Sequence, residues 1–470
     1  MTEEKKKYKY PLIVLTTLFF MWGFITCMND ILIPYLKGVF NLSYFQANLV
    51  QFAFFGAYFI GSLIYFLVSL FVGDPISKVG YKNGILAGLV VSSVACLLFY
   101  PAATTFHSFG LFLGALFLLG IGFTLLQIAA NPYVAILGSS ETASSRLNLS
   151  QAFNSLGTTI APVIGGFFIF EYFASAGTSP DAVKIPYLVL AGALMILFFF
   201  IFFSKLPKFT SDEAIEKNAG ALNFPNLSFG IFAIFFYVGA EVAIGSNLVS
   251  FLKLPSIAGL NESEASNYLA YYWGGAMIGR FMGAVSLSKL KVFRKYLTML
   301  LFAVLTFLLI FSVTYYMKNL TIEKIWFFLI FIILNYLFFI LGRSIPSRTL
   351  GLFALVAFGL LLTSILTSGE ISMWCMLSIG LFNSIMWSNI FTLAIDGLGK
   401  YTSQGSSLLV MMILGGALLP PLQGLLADKT NVQFAFIIPL IAYLYLIFYG
   451  FKGYKKKLVS GKRSVVNFMQ

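Results

Sequence analysis

Apolar runs of about 20 residues recur along the whole chain, each bounded by a short polar stretch. They lie near residues 11–33, 44–71, 83–104, 109–136, 147–170 and 185–204, then near 227–252, 265–287, 296–317, 325–342, 349–367, 371–395, 404–426 and 432–450. A helix rises about 1.5 Å per residue, so each run is long enough to cross a hydrocarbon core of about 30 Å. The pattern predicts an all-α polytopic membrane protein with about 14 transmembrane helices. The polar stretch 204–226, rich in Lys, Asp, Glu and Asn, reads as a linker, and 453–470 as a basic tail.

The runs also repeat. FFMWGFITCMNDILIPYLK at 19–37 and FFYVGAEVAIGSNLVSFLK at 235–253 superpose without gaps, pairing Phe19 with Phe235, Gly23 with Gly239 and Lys37 with Lys253. Further along, Asn131 pairs with Asn389, Gly157 with Gly415, Pro162 with Pro420 and Gly166 with Gly424. Two parallel halves of six helices are the signature of the major-facilitator architecture. The later pairs sit about 40 residues further apart than the earlier ones, which is the length of one membrane hairpin. The expected organisation is a six-helix bundle at 1–203, a cytoplasmic linker at 204–226, a second bundle at 227–452 and a cytoplasmic tail at 453–470. The hairpin is expected near 296–342, at the periphery of the second bundle.

Composition agrees with this class: 59% of residues are apolar, only 10% are charged, and the mean hydropathy is +0.91. A net charge of +13 would suit nucleic acid, but its distribution argues for a membrane instead. Lys and Arg concentrate at the N-terminus (Lys5, Lys6, Lys7, Lys9), in alternate loops and in the tail. The opposite side carries Lys37, Lys184, Lys253, Lys318, Lys324 and Lys429. The positive-inside rule then puts both termini in the cytoplasm, and no nucleic-acid partner is expected. The first run is too long for a signal peptide and ends in Asn29-Asp30 rather than in small residues, so it reads as a retained helix. Cys27, Cys96 and Cys375 each stand alone in an apolar segment and suggest neither a disulfide nor a zinc site. His107 is the single histidine, which excludes a histidine-ligated metal cluster or a triad, and no Gly-rich phosphate loop followed by Lys and Ser or Thr supplies an ATP engine. A lipid-modifying enzyme or scramblase would need a catalytic cluster near one interface, whereas the polar groups here converge at mid-depth. An enzyme is not expected.

Of 17 acidic residues, Asp30 and Glu241 are the pair placed inside spans. An ionised carboxyl there costs about 2.5–3.5 kcal/mol on insertion scales, so one is retained where it faces a cavity, an ion path or a partner charge. Each is a candidate proton carrier or sodium ligand. The alternatives are a helix-end cap for Asp30 and, for Glu241, a structural partner for Arg280, the lone basic residue inside a span. Recognition of a small neutral polar solute needs neutral hydrogen-bonding groups and aromatic faces. Gln151 and Asn154, three apart, share one helix face. Asn383 and Trp387, four apart, share another, and Asn389 lies off it. Asn29, Gln127, Asn247 and Trp273 are further candidates, with Trp22, Tyr237, Tyr271 and Tyr272 weaker ones. The pairs Gly165-Gly166, Gly274-Gly275 and Gly415-Gly416 predict close helix crossings.

Several of these segments together resemble a known family. They are Asn29-Asp30-Ile-Leu-Ile-Pro, Gln127-Ile-Ala-Ala-Asn-Pro (127–132), Arg146-Leu-Asn-Leu-Ser-Gln-Ala-Phe-Asn-Ser-Leu-Gly (146–157), Tyr-Val-Gly-Ala-Glu (237–241), Tyr-Tyr-Trp-Gly-Gly (271–275) and Gly-Leu-Phe-Asn-Ser-Ile-Met-Trp (380–387). The combination is similar to the fucose permease and glucose/galactose transporter branch of the major facilitator superfamily, and Val-Gly-Ala-Glu with Gln127 looks more like the glucose/galactose members. The resemblance implies monosaccharide uptake coupled to a cation gradient, by a monomer in a bacterial inner membrane. It places Gln151 and Asn154 on the sugar, beside Asn29, Gln127, Glu241, Asn247, Asn383, Trp387, Asn389 and Trp273. Cation coupling falls to Asp30, Glu241 and Gln127, with no cofactor other than a bound sodium ion at Asp30.

In the fucose permease a second coupling carboxylate resembles the position held here by Gln127. An amide cannot titrate, though its carbonyl can bind sodium, which favours sodium over the proton. The alternatives are a proton-coupled symporter of fucose, N-acetylglucosamine or mannose, and a non-transporting sugar sensor. Residues 73–82 look like a degraded form of the superfamily's second-to-third helix loop, with Ser77 where the acid usually stands, so its gating contact is expected to be weakened or moved.

Overall fold

The apolar runs fold into long helices that pass back and forth between two faces. The computed structural model describes residues 3–42, 44–166, 183–209, 218–318 and 320–454. The first half contains α1 (Glu3–Val39), α2 (Tyr44–Phe71), the short α3 (Pro75–Val79), α4 (Tyr81–Thr104), α5 (Phe109–Ile136), α6 (Ala143–Gly166) and α7 (Lys184–Phe203). The second contains α8 (Pro225–Leu252), α9 (Glu262–Ser286), α10 (Val292–Lys318), α11 (Ile322–Gly342), α12 (Pro346–Leu366), α13 (Gly369–Asn383), α14 (Met386–Ile395), α15 (Thr402–Met411), α16 (Gly415–Lys429), α17 (Val432–Ala435) and α18 (Ile437–Phe448). Among the described residues, 12 helical stretches are long and apolar enough to cross a membrane. α6 and α9, of 24 and 25 residues, are as long but more polar.

Local chemistry sets the helix ends. Pro225 and Pro346 open α8 and α12, where a missing N–H leaves no gap in the ladder. Asn261 and Glu264 form a capping box at the start of α9, and Ser108 caps α5. Arg343 and Ser344 take left-handed conformations, φ 50° and 58°, to turn α11 into α12.

The sequence repeat reappears as packing. α1 lies on α6 as α8 lies on α16, and α2 lies on α5 as α9 lies on α13. α4 packs between α5 and α7 as α12 packs between α13 and α18. The paired glycines explain the closeness. A Cβ at Gly157 would run into the Phe20 carbonyl oxygen, and one at Gly415 into that of Phe235. α10 and α11 have no partner in this scheme. α10 packs chiefly on α9, where Gly274 admits Ile310, and α11 touches α9, α12 and α13. Both are largely exposed along their apolar faces, whereas the α13–α14 rod is buried from Ser372 to Ile395.

The halves meet where α6 lies against α9 and α14, and where α15 lies against α2 and α5. One face, here called the basic face, gathers the loops that carry Lys82, Arg146, Lys205, Lys289 and Lys400. Contacts tie those loops together: Lys82 donates to the Phe202 and Ser204 carbonyls, Tyr133 to the Pro207 carbonyl, and Lys295 to Ser344.

Candidate functional site

The α13–α14 rod is interrupted at Ser384 and Ile385, and the interruption organises the site. A break frees carbonyls that a buried helix must re-satisfy. The Leu381 carbonyl accepts from the Asn335 amide on α11 at 3.0 Å and from the Ser384 hydroxyl at 2.7 Å. The Ser384 carbonyl accepts from Arg280 Nε at 3.2 Å. Gly380 lets α9 come close, because a Cβ there would strike the Tyr272 carbonyl.

Arg280 is the hub. Its Nη2 lies 3.9 Å from Glu241 Oε1, and its Nη1 donates to the Ser155 hydroxyl on α6, across the seam between the halves. The two charged side chains are only 14% and 12% exposed, so each neutralises a charge that the surroundings cannot. The Tyr237 hydroxyl lies against both Glu241 and Arg280. Elsewhere, Trp387 Nε1 on α14 and Gln127 Oε1 on α5 are buried without a hydrogen bond. Buried polar groups are normally satisfied, so each of these two atoms can take an external partner. Trp387 presents its ring against Phe391, with centroids 6.1 Å apart. Gln127 and Trp22 lie beside the Tyr58 hydroxyl.

The sequence-predicted residues separate into groups. Glu241 belongs to the Arg280 hub, while Gln127 lies beside Tyr58 and Trp387 against Phe391, each with an unpartnered polar atom. Gln151 is buried on an α6 stripe with Ser144, Asn148 and Ser155 that faces the second half. Asn154 does not share that surface, because its Nδ2 donates to the Phe19 carbonyl at 3.0 Å and ties α6 to α1. Asn383 is engaged at both ends of its amide, accepting from Tyr443 at 2.7 Å and donating to Tyr272 at 3.1 Å, while Tyr272 donates to the Glu241 carbonyl at 3.0 Å. That chain holds α18, α13, α9 and α8 together and commits one donor and one acceptor of the amide to packing.

Asn389 is likewise occupied, accepting from Asn148 at 3.2 Å and donating to the Pro346 carbonyl at 3.1 Å. Asn247 donates back to its own helix at the Ala243 carbonyl, 3.0 Å away. Tyr271 bonds Thr314 on α10 at 2.8 Å, and Trp273 is 43% exposed with its ring edge-on to Tyr272. Asn29 and Asp30 lie on the continuous helix α1, and their side chains fall outside the described residues. Ser155, Asn335 and Tyr443 were not expected here; serine, asparagine and tyrosine in a span give no sequence signal of which neighbour they meet.

Toward the basic face the seam is sealed. Ser144 bonds Thr392 at 2.5 Å, Asn148 bonds Asn389, and Glu141 pairs with Lys289. Outside this seal a vestibule of about 710 Å³ opens between the halves, lined by Ser77, Tyr81, Phe209, Asp396, Lys400 and Tyr454 among others. Arg146 braces the loop beneath α5 through the Val134 and Ser139 carbonyls, both at 3.0 Å.

Comparison with known proteins matches residues 13–342 to the Major Facilitator Superfamily model. The chain is 44% identical over 459 residues to the glucose/galactose transporter of Brucella abortus, covering 97% of this chain and 96% of that one. It is 38% identical over 457 residues to the putative glucose/galactose transporter of Helicobacter pylori, covering 94% and 96%. Its structure is similar to that of the Escherichia coli fucose:proton symporter, with a TM-score of 0.73 at 28% identity over 94% of this chain and 98% of that one.

Proposed function

Because the chain belongs to the Major Facilitator Superfamily, in the branch of the glucose/galactose transporters and the fucose permease, we propose that it carries a hexose, glucose or galactose, across a bacterial inner membrane together with a cation. The observation that carries this reading is the buried Glu241–Arg280 pair at the seam, with unpartnered polar atoms of Gln127 buried in the first half and of Trp387 in the second. A sugar offers many hydroxyls that both donate and accept, and an indole face suits its C–H side. The relatives are named as transporters, and this chain is a transporter rather than an enzyme.

Transport proceeds by alternating access, each half rocking about the central site. The seal at the basic face then corresponds to a state open to the outside, and the basic face, with both termini, to the cytoplasm. In this reading the chain crosses the bilayer fourteen times. α6 and α9 span despite their polar stripes, and α10–α11 are a hairpin inserted at the periphery of the second bundle. The two bundles are 1–203 and 227–452, joined by the linker 204–226. The coupling groups are Asp30, Glu241 and Gln127, and a non-titrating amide at 127 favours sodium. Proton coupling is the second reading, favoured by the likeness to a fucose:proton symporter.

The test is uptake of labelled glucose and galactose into proteoliposomes under a sodium gradient, a proton gradient or neither, with Asp30→Asn alongside. Sodium-driven accumulation, lost in Asp30→Asn while counterflow persists, is the expected result. Accumulation driven by protons alone replaces sodium, and no flux of any hexose defeats the reading.

A further inference from the structure

One line of the contacts that close the seam runs along α6. Ser144, Asn148, Gln151 and Ser155 recur at helical spacing on a single face, spanning about 16 Å from the first to the last. Ser144 meets Thr392 and Asn148 meets Asn389, both neutral contacts near the basic face. Glu141 and Lys289 are charged but lie at the surface, 72% and 54% exposed. Ser155, at the deep end, meets the guanidinium of Arg280. This contact carries a full charge at the deep end of the line, as the contact of Ser403 with the Asp74 carboxylate does nearer the basic face.

The guanidinium is held unequally. Nε on the Ser384 carbonyl and Nη2 beside Glu241 both bind it to its own half, while Nη1 alone reaches across to Ser155. When the halves part, Arg280 must stay with the second half and surrender one bond. A charge-assisted bond is worth more than a neutral one, and a buried guanidinium N–H left without an acceptor costs more still. The seam therefore opens at this depth only if another acceptor replaces Ser155. Tyr237, which lies against Glu241 and Arg280, and Trp387, whose indole N–H has no partner, are in the same second half, and the hexose reading supplies a polyhydroxyl ligand there.

We propose that Arg280 is a positioning residue of the transport cycle, a clasp that holds the seam shut through Ser155 and releases it when a sugar hydroxyl takes the place of the Ser155 oxygen. This rests on the hexose reading above, but its first arm can be tested without any sugar. Ser144→Cys with Thr392→Cys, in a background whose three native cysteines are replaced by alanine, makes a short-range cross-link that reports the closed seam. Without sugar, Ser155→Ala and Arg280→Gln are each expected to lower cross-linking several-fold, with Arg280→Lys between them and the parent. Glucose is expected to lower cross-linking in the parent but to have little further effect in Ser155→Ala. In flux assays Ser155→Ala should change kcat more than KM when kcat is counted per folded transporter, so that a loss of folded protein cannot mimic the effect.

Where Arg280→Gln folds poorly, Arg280→Gln with Glu241→Gln removes the clasp without leaving a lone buried charge. Unchanged sugar-free cross-linking in Ser155→Ala and in the double variant overturns the clasp. A glucose response in Ser155→Ala equal to that of the parent overturns the release step. If the parent carries no hexose, the functional reading fails and the sugar-free arm still decides the clasp.

Discussion

Ser403 on α15 donates its hydroxyl hydrogen to the carboxylate of Asp74, across the seam between the two halves. Asp74 also accepts from the Tyr65 hydroxyl at 2.5 Å and from the Ile76 N–H at 3.1 Å, as the N-cap of α3. Beside it, Gln404 donates to Ser69 at 3.0 Å and to the Asn218 carbonyl at 2.9 Å, and accepts from the Ala221 N–H at 3.0 Å. The acid expected at the position of Ser77 is thus supplied three residues earlier by Asp74, so the contact between halves is moved rather than lost.

Asp74→Asn should loosen the basic face. Hydrogen bonds to a charged group contribute about 1.5–3 kcal/mol each, so losing the charge is expected to shift the open-to-closed ratio by about tenfold or more. Thiol labelling of Ser144→Cys from the basic side measures this, and it should speed up in Asp74→Asn and less so in Ser403→Ala. An unchanged rate would mean that other contacts hold this face.

Asn383→Ala tests whether that amide binds sugar or holds helices. It leaves the Tyr443 hydroxyl and the Asn383-facing side of Tyr272 without a partner in a fully buried setting. An unsatisfied buried group costs about 1–3 kcal/mol, so Tm should fall, with KM for glucose changing little in the protein that remains folded. A large rise in KM at constant Tm would return Asn383 to the ligand.

The helices were legible in the apolar runs because lipid demands them. Their ends were less so: α1 begins at Glu3, well before the apolar run at 11, since hydropathy marks where lipid starts and not where a helix starts. The duplicated packing was legible in Gly157 and Gly415, where the spacing of small residues fixes how closely two backbones approach. The break at Ser384 was not. No proline or glycine stands at it, and it is maintained by Asn335 and Arg280 from other helices. For the same reason Gln151 and Asn154 could not be told apart by spacing, because only the neighbouring helices decide that one faces the seam and the other α1.

Gln127→Glu should make transport sensitive to pH. The native amide cannot titrate, whereas a carboxyl at the same buried position can take up and release a proton. Uptake under a proton gradient is expected to rise relative to uptake under a sodium gradient. Equal ratios in Gln127→Glu and the native protein would remove Gln127 from the coupling set.

Glu141 and Lys289 give the closed seam a pH dependence at its surface. The lysine holds the Glu141 carboxyl below its usual range. A depressed carboxyl contributes above its ordinary titration range and loses that contribution as pH falls through its lowered value. Cross-linking of Ser144→Cys with Thr392→Cys should therefore decline modestly in acid. Both side chains are mostly exposed, so the decline should shrink in high salt and vanish in Glu141→Gln.

Glu241→Gln isolates the cost of the central charge pair. The substitution keeps the shape of the side chain but leaves Arg280 with neutral partners, the Ser155 and Tyr237 hydroxyls and the Ser384 carbonyl. Removing one partner of a buried pair typically costs about 3–5 kcal/mol, whereas replacing both partners by neutral groups costs much less. Thermal unfolding in detergent should therefore show Glu241→Gln well below the native Tm, with Arg280→Gln and Glu241→Gln together recovering most of the difference. If Glu241 instead carries the coupling proton, its neutral form is already part of the working cycle. Glu241→Gln would then keep the native Tm and abolish gradient-driven uptake while exchange continued. The Tm and the exchange rate, read on the same preparation, separate a structural counter-ion from a coupling group.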